Sequence, residues 1–268
     1  MRACTCRPRL LIILFWHIIR VVMFAYHINQ PSVDTSDPAL PGSSERVSAR
    51  WEDPRTVAGF ASGSPNQQLL DFARTLLREG RTLRCLDLGC GAARNALLLS
   101  QMGLEVTGTD LSVPMLDAAR ERMKREMPTR TVRFIQAPMA PLPFEDETFD
   151  LIVAHGIWNL ARSDAEFRAA VAEAGRVARP GAGLFVFTFS RHTLPEAALP
   201  DPGETFVFSS WNGDPHCFLT EDELIAELAR AGFAPLESPL AEYNRPVGGR
   251  LAVGGPPVIY EGRFARSR

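Results

Sequence analysis

The segment Cys85-Leu-Asp-Leu-Gly-Cys-Gly-Ala-Ala-Arg94 constrains the fold more than any other part of the chain. Leu83 to Leu88 is a short, mostly apolar run ending at glycine, the pattern of a central parallel strand. Gly89 and Gly91 lack a Cβ, so the backbone can turn sharply there and approach a ligand. Ala92 to Met102 reads as a helix, with Ala92, Ala93, Ala96, Leu97 and Leu99 facing the sheet. Its first amides have no partners inside the helix and point back at the turn, where a negatively charged ligand group can sit. Glu105 to Thr109 forms a second strand that Asp110 closes. A carboxylate at that place can accept hydrogen bonds from both hydroxyls of a ribose. The order strand, glycine turn, helix, strand, acid is that of a nucleotide site in an α/β sheet.

The rest of the chain continues the alternation. Pro65 to Leu77 reads as a helix before the first strand. Ser112 can cap a helix carrying Met115, Leu116, Ala119 and Met123 on one side. Thr131 to Ile135 and Phe149 to Ala154 are the third and fourth strands. Ser163 and Glu166 have capping-box spacing ahead of a stripe at Phe167, Ala170, Val171, Ala174 and Val177. Arg179-Pro-Gly181 is expected to end that helix, and Gly183 to Phe189 is the fifth strand. Thr220 and Glu223 make a second capping box, with Gly232 as its helix stop. An extra strand is expected within Thr205 to Ser209, and two more within Phe233 to Pro239 and Pro257 to Phe264. Such alternation gives an α/β fold: a Rossmann-like doubly wound, mostly parallel sheet with helices on both faces.

Two nucleotide classes compete for the turn. A dinucleotide fingerprint wants G-x-G-x-x-G, and its third glycine would fall on Arg94, too bulky for close helix–strand packing. Asp87 precedes the turn and would face a pyrophosphate badly. S-adenosylmethionine, with an ammonium, a sulfonium and no phosphate, suits that acid better. No G-x-x-x-x-G-K-[ST] run is present, so a P-loop does not apply.

These residues resemble the class I S-adenosylmethionine-dependent methyltransferases, in particular a small-molecule, type 11-like methyltransferase domain. Leu86-Asp-Leu-Gly-Cys-Gly91 resembles the family's first motif. Val106-Thr-Gly-Thr-Asp-Leu-Ser112 and Met115-Leu-Asp-Ala-Ala-Arg120 resemble its second strand and helix, and Leu142 to Ala154 its fourth strand and approach. Phe218 to Leu224 with Ala231-Gly-Phe233 resembles its late helix. The resemblance implies an antiparallel last strand. It also implies that Asp87, Gly89 and Gly91, with Leu88 and Cys90 in the same turn, hold the methionine end of the cofactor. Asp110 would take the ribose and Leu111 would lie against the adenine. Met139 would offer its backbone amide to that ring, and His155 would lie beside the transferred methyl. Where the family often has an acid after the third strand, this chain has Pro138, which offers neither an acceptor nor an N–H.

Methyl transfer from a sulfonium mainly needs alignment and exclusion of water, with a general base only for a nucleophile of high pKa. His155, directly after the fourth strand, is the candidate base or cofactor wall. His192, Trp211 and His216 lie in a long connection after the fifth strand that reads as a substrate cover, and Trp158 is a further pocket candidate. No metal is expected, because the acids and histidines lack ligand-like spacing. A nicotinamide oxidoreductase and a non-catalytic cofactor-binding module are the alternatives to a small-molecule methyltransferase.

A net charge of −2, with no basic block after residue 30, argues against a nucleic-acid partner. Five cysteines without a C-x-x-C fit a reducing cytoplasm. Residues 1–29 differ from the rest: Arg2, Arg7 and Arg9 precede an apolar run over 10–26 broken by His17 and Arg20. Arg20 near a bilayer centre costs about 2.5–3.5 kcal/mol, against about 0.3–0.6 returned per Leu, Ile or Phe. Three readings stay open: a membrane-associated helix, an export signal, and a true start further downstream. Residues 30–50 read as a flexible linker, and 51–268 as the methyltransferase domain, of unassigned oligomeric state.

Overall fold

A computed structural model describes residues 49–77, 82–127, 129, 132–245 and 256–267. The apolar run over 10–26 and most of the expected linker lie outside the described residues. Among the described residues no helix is long and apolar enough to cross a membrane.

The helices that follow Asp53, Asn66, Ser112, Ser163 and Thr220 each begin where the sequence offers a side chain for the orphan amides, whereas the helix after the glycine turn has no side-chain cap. Asp53 caps α1 (Pro54–Ser62), and Asn66 caps α2 (Gln67–Leu76) by accepting from the Leu69 amide at 3.0 Å. Strand β1 (Arg84–Leu88) leads through the glycine turn to α3 (Arg94–Gln101) and β2 (Glu105–Asp110). Ser112 caps α4 (Val113–Glu126), which leads to β3 (Arg133–Gln136) and β4 (Phe149–His155). Ser163 caps α5 (Asp164–Val177), followed by the long β5 (Ala178–Phe189). A small hairpin of β6 (Val207–Phe208) and β7 (His216–Cys217) precedes α6 (Glu221–Arg230), whose capping box is complete at Thr220 and Glu223. Strands β8 (Phe233–Pro235), β9 (Ala241–Tyr243) and β10 (Ile259–Arg266) finish the fold.

The main sheet runs β3-β2-β1-β4-β5-β10-β8, with β9 also against β10. The first five strands pair in parallel, and β10 is antiparallel to β5, as expected of the last strand. Alternation along the central strands divides two apolar layers. Leu86, Leu88, Ile152, Ala154, Leu184 and Val186 pack against α5 and α6. Cys85, Leu151, Val153 and Phe185 pack against α2, α3 and α4. The sheet is therefore doubly wound, and its carboxyl edge is where a ligand crevice forms in such folds.

Three local expectations are corrected. The helix expected from Ala92 begins at Arg94, because the turn continues through Ala93, itself left-handed at φ 61°. Arg179-Pro-Gly181 does not end α5. That helix stops at Val177, and the three residues bulge out of β5 between the pairs Phe149–Ala178 and Leu151–Gly183. The Arg179 guanidinium anchors the bulge on Asp150 at 3.0 and 3.1 Å. Strand β9 was not anticipated.

Candidate functional site

The glycine turn is built from left-handed residues. Gly89 has φ 62° and Gly91 φ 51°, a region costly for residues that carry a Cβ. A Cβ on Gly89 would stand 2.7 Å from the Ile157 side chain, so absence of a side chain matters there twice. The turn is tied to the end of β2: the Cys90 amide donates to the Thr109 carbonyl at 2.9 Å, and the Gly91 amide to Asp110 Oδ2 at 2.9 Å. The other oxygen, Oδ1, accepts from the Ser112 amide at 2.9 Å. Each carboxylate oxygen of Asp110 thus has one backbone partner and a further acceptor lone pair. Burial raises the Asp110 pKa, against the pull of those amides. The Trp51 carbonyl accepts from Ser112 Oγ, and the Trp51 and Phe60 rings meet edge to face at 5.6 Å, bringing α1 over the turn.

Asp87 lies one residue before the turn and is 2% exposed. Its Oδ2 has no hydrogen-bond partner. Burial pushes its carboxyl up to about 7, with the Arg94 guanidinium pulling it down and Asp110 pushing it further up. A buried acceptor in that state fits an ammonium and opposes a pyrophosphate. The chemistry of these two acids is compatible with S-adenosylmethionine: an unpartnered buried acceptor at Asp87 and a carboxylate with free lone pairs at Asp110.

The other expected cofactor contacts are spread along the same edge. Leu88 is buried in the sheet, and the Cys90 side chain packs beneath the turn, within reach of Gly108. Leu111 is 65% exposed, so its side chain stands on the open surface beside Asp110. The Ala137 amide donates to the Asp110 carbonyl at 3.1 Å and draws the partly buried Pro138 and Met139 toward Asp110.

His155 ends β4 and stacks on Phe187 at 4.2 Å. An Arg94 amino group lies 3.2 Å from Nδ1, and the Asn66 amide nitrogen 3.2 Å from Nε2. Burial, reinforced by the Arg94 charge, holds its pKa well below the ordinary imidazole value. His155 is thus neutral at pH 7 and weakly basic, which suits a cofactor wall better than a general base.

The four expected pocket residues do not converge. Trp158 is 1% exposed and packs edge to face on Phe167 in the main core, so it is a core residue. His192 is largely exposed, with Nδ1 2.6 Å from Glu242 Oε1. Ser190 Oγ also addresses Nδ1, at 3.4 Å, and Nε2 faces Arg245; a serine hydrolase would need the serine on Nε2. Trp211 and His216 do meet, at 5.7 Å, in an aromatic cluster with Phe189 and Phe218. His216 is buried there, which lowers its pKa. The long connection thus packs its aromatic residues on one another. Among the described residues no group of three or more metal-ligating side chains is gathered to hold an ion.

Sequence reasoning missed Arg94 as a neighbour of His155, and it missed Asn66, Tyr243 and Glu261. Glu261 is 6% exposed in the middle of β10. Its strand also carries Arg263 and Arg266, so the sequence alone does not single this acid out; its burial comes from the pairing of β10 with β5.

Comparison with known proteins agrees with this geometry. Residues 85–181 match a family described as Methyltransferase domain. A malonyl-[acyl-carrier protein] O-methyltransferase of Salmonella typhimurium is 32% identical over 162 residues, 60% of this chain and 59% of its own length. A demethylmenaquinone methyltransferase of Mycobacterium marinum is 35% identical over 163 residues, 55% of this chain and 64% of its own. The chain thus spans less than two thirds of either relative. In fold it is similar to the 1,6-didemethyltoxoflavin-N1-methyltransferase of Burkholderia thailandensis (TM-score 0.55, 20% identity, 88% of this chain and 98% of that one). It is also similar to the cyclase SpnF (TM-score 0.62, 18% identity, 85% and 97%), so the fold alone does not dictate the reaction. The match over residues 85–181 speaks for a methyltransferase domain in that part of the chain and against the nicotinamide alternative.

Proposed function

We propose that the protein binds S-adenosylmethionine at the glycine turn and catalyses transfer of its methyl group to a small molecule. The observation that carries this reading is the pair of buried carboxylates flanking the turn. Asp87 holds an unpartnered oxygen ahead of it, and Asp110 is locked by two backbone amides behind it. The relatives support the substrate class: their names refer to malonyl-[acyl-carrier protein] and to demethylmenaquinone.

The cofactor supplies an electrophilic methyl; the residues of the chain supply position and dryness. Asp87 Oδ2 accepts an N–H of the ammonium, and the remaining lone pairs of Asp110 accept the ribose hydroxyls. Gly89 and Gly91 keep the turn clear of side chains. Helix α1, with Trp51 and Phe60, excludes water from above it. His155 stays neutral, so it adds no positive charge beside a sulfonium.

Titration calorimetry of the protein with S-adenosylmethionine and with NAD tests the binding. Heat with NAD and none with S-adenosylmethionine would sink the proposal. Incubation of deuteriomethyl cofactor with cell extract, followed by mass spectrometry, then tests the transfer. The domain is taken to run over 51–268. Contact with a membrane through residues 10–26 rests on their apolar composition, and mass spectrometry of the natural N-terminus would test it.

A further inference from the structure

Residues in register on neighbouring strands share a face. His155 on β4 pairs with Phe187 on β5, and Phe187 pairs with Glu261 on β10. The three side chains therefore form one row, near the carboxyl ends of β4 and β5. Phe187 is the floor, stacked under the His155 ring. Asn66, at the start of α2, spans the row from above. Its amide nitrogen donates to Glu261 Oε2 at 2.6 Å and lies 3.2 Å from His155 Nε2. The Tyr243 hydroxyl donates to Glu261 Oε1 at 3.0 Å. Those two bonds use two of about four acceptor positions of the carboxylate.

The orientation of Asn66 is fixed, because its Oδ1 caps α2 through the Leu69 amide. Arg94 can only donate, and so can the Asn66 amide nitrogen, so a neutral His155 accepts from one of them and turns its N–H toward the other, donor against donor. The row thus carries an imidazole N–H that meets no acceptor in Asn66 or Arg94 at one end and a carboxylate at the other, with a partly exposed aromatic ring between them. That is the complement of a group that both accepts and donates.

We infer that this row binds the polar end of the methyl acceptor, and that the acceptor carries an O–H or N–H whose proton passes to Glu261. The inference rests on the methyltransferase reading and names the substrate class of that same site. In the step, the lone pair of the acceptor oxygen or nitrogen forms the new bond to the methyl carbon. The carbon–sulfur bond breaks, and its electron pair stays on sulfur as a neutral thioether. The O–H or N–H proton moves to the Glu261 carboxylate and leaves later to water. Burial raises the pKa of Glu261 and makes it a stronger proton acceptor than an exposed carboxylate. The groups around it are Tyr243 and Asn66, His155 across Phe187, and the ion-paired Arg263 and Glu237.

The test uses phenol and anisole, which share a ring and differ in the O–H. Their binding is measured by NMR saturation transfer, with and without S-adenosylhomocysteine, in the wild type and in Glu261→Leu, Glu261→Gln and Tyr243→Phe. The wild type is expected to bind phenol at least tenfold more tightly than anisole. Glu261→Leu should abolish that preference and Glu261→Gln reduce it at least threefold. Tyr243→Phe, which keeps the carboxylate, should retain it. S-adenosylhomocysteine affinity within twofold of wild type shows that a variant is folded. Equal affinity for the two probes in the wild type, no binding of phenol, or a preference that survives in both Glu261 variants would overturn the inference. Failure of S-adenosylhomocysteine to bind the wild type would instead overturn the methyltransferase reading, and the phenol preference without it remains a separate result.

Discussion

Replacing Asp87 by Asn should make the ligand-free protein more stable at high pH while weakening its hold on the cofactor. The carboxyl is pushed up to about 7 in the folded chain, against 3.8 for the free group. Below pH 3.8 both states are protonated and the shift has no effect. Between 3.8 and 7 the unfolded chain is ionised while the folded one keeps the proton, so stability falls as pH rises. Above 7 the loss is constant. At about 1.4 kcal/mol per unit, the cost is about 2 kcal/mol at pH 5 and about 4 kcal/mol at pH 8. Asn carries no charge at either pH, and its unpartnered amide costs a constant about 1–3 kcal/mol. The stability difference between variant and wild type should therefore grow by about 2 kcal/mol from pH 5 to pH 8. For a domain of this size that is about 4–8 °C in Tm. The raised carboxyl of Glu261 is present in both proteins and cancels in the difference, whereas Asp110, which repels an ionised Asp87, is relieved of that repulsion in the variant and adds to its gain at high pH. Thermal melts of both proteins at the two pH values measure it, and calorimetry in two buffers of different ionisation enthalpy adds the ligand side. An ammonium beside Asp87 favours its ionised form, so wild type should release protons on binding S-adenosylmethionine at pH 6–7, and Asp87→Asn fewer. A Tm difference that does not change with pH would refute the argument, because the buried charge would then not be the cause.

Asp110→Ala should weaken cofactor binding at least tenfold in calorimetry with the circular dichroism spectrum unchanged; equal affinity would put the site elsewhere. Gly108→Ala should destabilise by about 1–3 kcal/mol in urea unfolding, since its Cβ would stand 2.7 Å from Cys90 Sγ. Adding Cys90→Ala should recover part of that loss, and a purely additive double variant would speak against the contact. Pro138→Asp should tighten cofactor binding several-fold by giving the adenine amino group an acceptor, a gain of about 1 kcal/mol; unchanged or weaker affinity sinks that idea.

The fold was legible because its signals are local and repeated. Glycine after an apolar run, Ser112, Ser163 and Thr220 at helix starts, and alternation between strand-like and helix-like stretches each act within a few residues. The geometry of the glycine turn was legible for the same reason, since Asp87, Gly89, Gly91 and Asp110 belong to one βαβ unit. What sequence reasoning could not reach depends on which strands become neighbours. Glu261 and His155 are far apart in the chain, and only the insertion of β10 beside β5 puts both in register with Phe187. Trp158 shows the opposite failure. Its position after β4 suggested a pocket, but the turn that follows sends its ring into the layer beneath α5. Position along the chain fixes the edge of the sheet to which a residue belongs, whereas the face it occupies depends on pleat and turn geometry. A turn built within one βαβ unit can be read from a sequence, whereas a row shared by β4, β5 and β10 is read only from their register.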